Sequence, residues 1–111
     1  MVKPVDDRTN PKLAEVVRRL VDEFQPDRIY LFGSRARGDA SDDSDFDILM
    51  VVPDSADPSH RQAQRAYAVL WGAGVPVEVL VFTSDQFARQ SKVVASLAAT
   101  VTREGRLLYE R

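Results

Sequence analysis

The stretch Ile29-Tyr30-Leu31-Phe32-Gly33-Ser34-Arg35-Ala36-Arg37-Gly38 leads through a polar loop to Ser44-Asp45-Phe46-Asp47-Ile48. An apolar run ends at a Gly-Ser pair, and two carboxylates at alternate positions precede a second apolar run. Asp27 to Phe32 reads as a strand of β-branched and aromatic residues. Gly33 and Ser34 end it, and Ser34 to Arg37 has the length of one helical turn. Asp45 to Pro53 reads as a second strand. Its run Ile48-Leu49-Met50-Val51-Val52 suits a strand buried on both faces.

Upstream, a helix is expected from Asn10, a capping residue type, with Pro11 in the first helical position. Leu13, Val16, Val17, Leu20, Val21 and Phe24 recur at helical spacing, and Pro26 stops the helix. Residues 1–9 read as an arm, disordered or at an interface. Downstream, Asp57-Pro58 opens a helix with Ala63, Ala66, Tyr67, Leu70 and Trp71 on its apolar face, ended by Gly72 and Gly74. Val75 to Phe82 reads as a third strand. Thr83 and Gln86 fit a capping box for a short helix around Phe87. Val93, Val94, Leu97, Ala98 and Val101 continue as an apolar helical stripe, which reads as core packing with a partner contact as the alternative. Gly105 breaks it, and Arg106 to Tyr109 adds a short edge strand. The order predicts an α/β (α+β) fold, a small mixed sheet flanked by helices, as a single domain over residues 1–111.

The composition narrows the function. The chain has 111 residues, 44% hydrophobic and 29% charged, the balance of an ordinary globular domain. A net charge of −2 argues against a general nucleic-acid or membrane-surface binder, though Arg28, Arg35 and Arg37 are candidates for a local basic patch. No cysteine and one histidine exclude disulfides, thiolate zinc sites and histidine-rich metal sites. No apolar run reaches the ~20 residues of a membrane span. The start does not read as a signal peptide, so a cytoplasmic location is the default expectation.

The chemistry follows from residue types and spacing. A strand that runs through Gly33 and Ser34 into a turn presents backbone amides and a hydroxyl to anionic oxygens, a phosphate cradle; the same pair also occurs in plain turns. Asp45 and Asp47 share a strand face roughly 7 Å apart. Their repulsion is relieved either by solvent or by a divalent cation, and hard oxygen ligands suit Mg²⁺. Glu78 is the one charged residue in Val75 to Phe82. It completes a carboxylate triad, able to hold two ions, if its strand lies beside that of Asp45; otherwise it is an edge-strand glutamate turned to water. Arg35 or Arg37 suits triphosphate charge, or pairs with Asp39, Asp42 or Asp43.

Gly33-Ser34, ten intervening residues and Asp45-x-Asp47 resemble the signature of the DNA polymerase β-like nucleotidyltransferases. The fuller run Gly-Ser-Arg-Ala-Arg-Gly with Ser-Asp-Phe-Asp-Ile resembles their minimal nucleotidyltransferase (MNT) branch, antitoxins of HEPN-domain toxins. The resemblance implies that Asp45, Asp47 and Glu78 hold Mg²⁺ and act in catalysis. It also implies that Gly33 and Ser34 bind the nucleotide phosphates, and Arg37 is the candidate from residue type to bind beside them. The expected reaction is transfer of AMP from ATP to a hydroxyl of a partner HEPN toxin, a tyrosine, within a homo- or hetero-oligomer. Many minimal members have aspartate where Glu78 stands, while glutamate serves as the third carboxylate in some larger relatives; Ile48 replaces the usual leucine. Two alternatives remain at this point: a catalytically weak module that neutralises its partner by binding, and a transferase acting on a small molecule.

Overall fold

A computed structural model describes residues 11–33, 45–54, 59–74 and 76–111. Ser34, Arg35, Arg37, Asp39, Asp42 and Asp43 lie outside the described residues, as does the expected turn at Ser34 to Arg37. The elements run α1 (Pro11–Phe24), β1 (Arg28–Phe32), β2 (Phe46–Val52), α2 (Ser59–Val69), β3 (Val77–Thr83), α3 (Ser84–Ser91), α4 (Leu97–Glu104) and β4 (Arg106–Glu110).

The four strands form one sheet in the order β3-β2-β1-β4. β1 pairs antiparallel with both β2 and β4, while β2 and β3 are parallel. A parallel pair needs a long crossover connection, and the segment holding α2 supplies it. The sheet is therefore mixed, as the sequence predicts.

Pleating sends alternate residues to two cores. On one face Ile29, Leu31, Phe46, Ile48, Met50, Val52, Val79 and Val81 pack under Leu13, Val16, Val17 and Leu20 of α1 and Ala66 of α2. On the other, Tyr30, Leu49 and Val51 pack under Phe87 of α3 and Ala98 and Val101 of α4. The Tyr30 and Phe87 rings stack with centroids 5.6 Å apart. β2 is thus covered on both faces, as its apolar run predicts. Each buried side chain of this kind contributes about 1.5–3 kcal/mol relative to exposure. A slip of one residue would put Asp47 in the place of Phe46, in the α1–α2 core, so packing fixes the register that orients the acidic residues.

The helix ends follow the sequence signals in most places. α1 is described from Pro11, with Asn10 and the arm 1–9 outside the described residues, and Gln25 (φ 47°) turns the chain into the buried Pro26. The Thr83–Gln86 capping box is present at the start of α3, and β4 lies at the sheet edge.

Two expectations are corrected. Trp71 is 88% exposed, because α2 ends at Val69 and the chain leaves the helical path before Trp71; Tyr67, inside α2, is 46% exposed. Of the expected face, Ala66 and Leu70 are buried and Ala63 is partly buried against the core, and Gln62 joins them. Val93 and Val94 are also exposed, at 57% and 81%, because the expected stripe is broken by a turn between α3 and α4. Ser91 Oγ donates back to Phe87 O at the end of α3, and Ser96 caps α4 by accepting from Ala99 N. Among the described residues no helix is long and apolar enough to cross a membrane.

Candidate active site

β2 and β3 start at the same end of the sheet, where Phe46 N donates to Pro76 O at 3.0 Å. Phe46 is 2% exposed in the α1–α2 core. Pleating therefore directs Asp47 to the opposite face, shared with Leu49 and Val51. Within β2, apolar packing on that face stops at Leu49, one pleat from Asp47.

Asp47 is the register partner of Glu78 across the parallel pair and of Phe32 across the antiparallel one. The strand alignment that the sequence reading required for Glu78 is present. Strands lie about 4.8 Å apart, so two carboxylates branch from neighbouring backbones on one face. Asp47 is half-buried and Glu78 exposed. Asp45 is exposed and immediately precedes β2.

Gly33 follows Phe32 at the C-terminal end of β1, with φ 77°. A Cβ built there would overlap Oδ2 of Asp47. The left-handed backbone favours glycine, and a side chain there would push the Asp47 carboxylate aside. Phe32 with the following Gly33, Asp47 and Glu78 thus form one row across the sheet end.

Among the described residues no three carboxylates or imidazoles cluster closely enough to hold a metal ion. The structure brings Asp47 and Glu78 together and does not close a cage with Asp45. The donor chemistry still fits magnesium, which usually takes only one or two protein carboxylates, keeps waters and adds phosphate oxygens.

Arg28 does not join a basic patch at this site. It lies at the other end of β1, opposite Val51. There Arg28 Nη1 donates to Tyr30 Oη at 3.3 Å and its Nε lies 3.6 Å from Glu110 Oε2. The Tyr30 contact, with the nearby Glu110 charge, raises its pKa. A groove of about 680 Å³ bordered by Arg28, Ser84 and Phe87 lies at that remote end.

One contact near the site escaped the sequence reading. Val79 N donates to Tyr67 Oη at 3.0 Å. Helical periodicity placed Tyr67 on an apolar face. The available signal was the hydroxyl itself, since a tyrosine set against a strand edge seeks a polar partner.

A model of the nucleotidyltransferase domain matches residues 12–103. The chain belongs to this family. This nucleotidyltransferase is 35% identical over 82 residues to a Methanocaldococcus jannaschii protein provisionally named a protein adenylyltransferase, covering 74% of this chain and 77% of that one. Its fold is similar to that of a Sulfolobus solfataricus protein provisionally assigned as a nucleotidyltransferase. That match has a TM-score of 0.65 and 24% identity, covering 91% of this chain and 79% of the other. A toxin–antitoxin structure with AMP-PNP matches with a TM-score of 0.56 and 23% identity, covering 87% and 72%. A variant of the toxin–antitoxin MntA–HpeT matches with a TM-score of 0.57 and 24% identity, covering 87% and 71%. At these identities the solved structures speak for the fold alone.

Proposed function

We propose that this nucleotidyltransferase moves AMP from ATP to a hydroxyl of a partner toxin, a tyrosine of a HEPN-domain protein, and so acts as an antitoxin. The reading is carried by the register pairing of Asp47 with Glu78 beside the left-handed Gly33. It is supported by the name of the Methanocaldococcus jannaschii relative, and the toxin–antitoxin structures of similar fold agree with it.

In this reading Gly33 and Ser34 cradle the triphosphate through backbone amides and a hydroxyl, and Arg37 offsets its charge. Asp45, Asp47 and Glu78 are the groups that would hold two magnesium ions. Bound magnesium supplies neutralisation of the triphosphate and a lower pKa for the acceptor hydroxyl. The hydroxyl oxygen forms a bond to the α-phosphorus while the bond to pyrophosphate breaks. Glu78 takes the hydroxyl proton. The protein works mainly by positioning and by fixed charge.

The test uses α-labelled ATP, Mg²⁺ and the product of the adjacent gene, with Asp45→Asn as control. Label on the partner, absent in the variant, is the expected result. A stable complex with no label, and an Asp45→Asn variant that still neutralises, would instead establish a binding module. Label appearing on a small hydroxylated molecule in place of the partner would establish the third reading.

A further inference from the structure

We propose that Tyr67 is a positioning residue for nucleotidyl transfer: its hydroxyl fastens the free edge of β3 and thereby holds Glu78 in register with Asp47. The inference rests on the reading of Glu78 as a functional carboxylate. Among the described residues β3 is an edge strand, held by β2 from one side. In a strand, the N–H and C=O of one residue point to the same side and those of the next residue to the other. Glu78 turns both groups toward β2, and Val79 turns both outward. The outward N–H of Val79 donates to Tyr67 Oη at 3.0 Å in a half-buried contact. An edge amide without this acceptor would be partly shielded from water by α2 and poorly paired.

Tyr67 is not held in place for its ring. The residue is 46% exposed, whereas its neighbour Ala66 is fully buried in the α1–α2 core. The helix that carries it is anchored from a second direction. Arg19 Nη1 of α1 donates to Val69 O at 3.4 Å and to Trp71 O at 3.0 Å, at the end of α2. Arg19 Nε in turn donates to Glu15 Oε2 at 2.8 Å. A continuous set of contacts thus runs from α1 through the end of α2 and Tyr67 to the residue following Glu78. Fraying of β3 at its first residues would spread the Glu78 carboxylate over positions that no longer face Asp47.

Tyr67→Phe keeps the ring and removes only the acceptor oxygen. Two readouts apply: exchange of the Val79 amide, and binding of Mn²⁺ in the presence of a non-hydrolysable ATP analogue, followed by electron paramagnetic resonance. The expected result is faster Val79 exchange and Mn²⁺ binding weakened about threefold to tenfold, the size of one hydrogen bond. The same substitution made in a Glu78→Gln background should weaken Mn²⁺ binding no further, since a residue acting through Glu78 has nothing left to position. Unchanged Mn²⁺ binding in Tyr67→Phe, or an equal loss in both backgrounds, would overturn the proposal. If Glu78→Gln alone leaves Mn²⁺ binding intact, the reading of Glu78 fails, and the role of Tyr67 fails with it. A deficient Glu78→Gln beside a silent Tyr67→Phe removes the tether alone.

Discussion

Asp47 and Glu78 are side-by-side register partners across the parallel β2–β3 pair, on the sheet face that carries the α3–α4 core. Like charges on neighbouring strands disfavour the fold by a few tenths of a kcal/mol, roughly. On the proposed reading the pairing serves the metal site. Glu78→Gln should therefore leave the melting temperature in the absence of divalent ions unchanged or slightly raised. Transfer from labelled ATP should fall on the order of 100-fold. A variant that melts lower and transfers normally would mean that Glu78 serves the fold.

Much of this site is legible in the sequence because it depends on strand periodicity. Alternation turns Asp47 away from the α1–α2 core, Gly33 marks the end of β1, and Glu78 is the one charge in an apolar run, whereas Asp45 lies just outside β2, where strand alternation no longer places it. The end of α2 was less legible. The 3.6-residue pattern extends through Tyr67 to Trp71, and nothing in it marks the departure of the chain after Val69. The Val93-Val94 pair likewise fits a helical stripe, while the turn that exposes it depends on hydrogen bonds made by Ser91 and Ser96. The Tyr67–Val79 bond joins residues 12 apart in sequence and has no local signature.

The exposure of Trp71 gives a simple stability test. A side chain 88% in water loses little when truncated. Trp71→Ala should change unfolding free energy by no more than about 0.5 kcal/mol. Leu20→Ala, at a fully buried position of α1, should cost about 2–5 kcal/mol. Chemical denaturation of the two variants compares them directly. A Trp71→Ala cost approaching that of Leu20→Ala would restore Trp71 to the core.

Acid should loosen the clamp at the end of α2. Hydrogen bonds from Arg18 first and Arg19 second hold the Glu15 pKa at about 2, below its ordinary 4.5. A carboxylate with a lowered folded-state pKa stabilises the fold fully above its unfolded-state value. That contribution is lost as pH falls through the folded value. The stability difference between wild type and Glu15→Gln should be greatest above about 4.5 and vanish toward about 2. Melting temperatures of the two proteins across this window provide the measurement. A difference that is constant with pH would mean that the ion pairs do not couple to folding.

Gly33 and Gly72 separate backbone strain from interference with the site. Both have positive φ, 77° and 81°. A Cβ on Gly72 meets nothing within 4 Å, whereas one on Gly33 meets the Asp47 carboxylate. Gly72→Ala should carry only the left-handed penalty, about 1–2 kcal/mol, with transfer unchanged once the protein is folded. Gly33→Ala should carry the same penalty and also displace the Asp47 carboxylate, so its transfer activity should be lost even at temperatures where the variant is fully folded. Thermal denaturation measures the shared cost, and labelled-ATP transfer well below both melting temperatures measures the difference. Equal activity in the two folded variants would show that the close approach of Gly33 to Asp47 is not needed for the reaction.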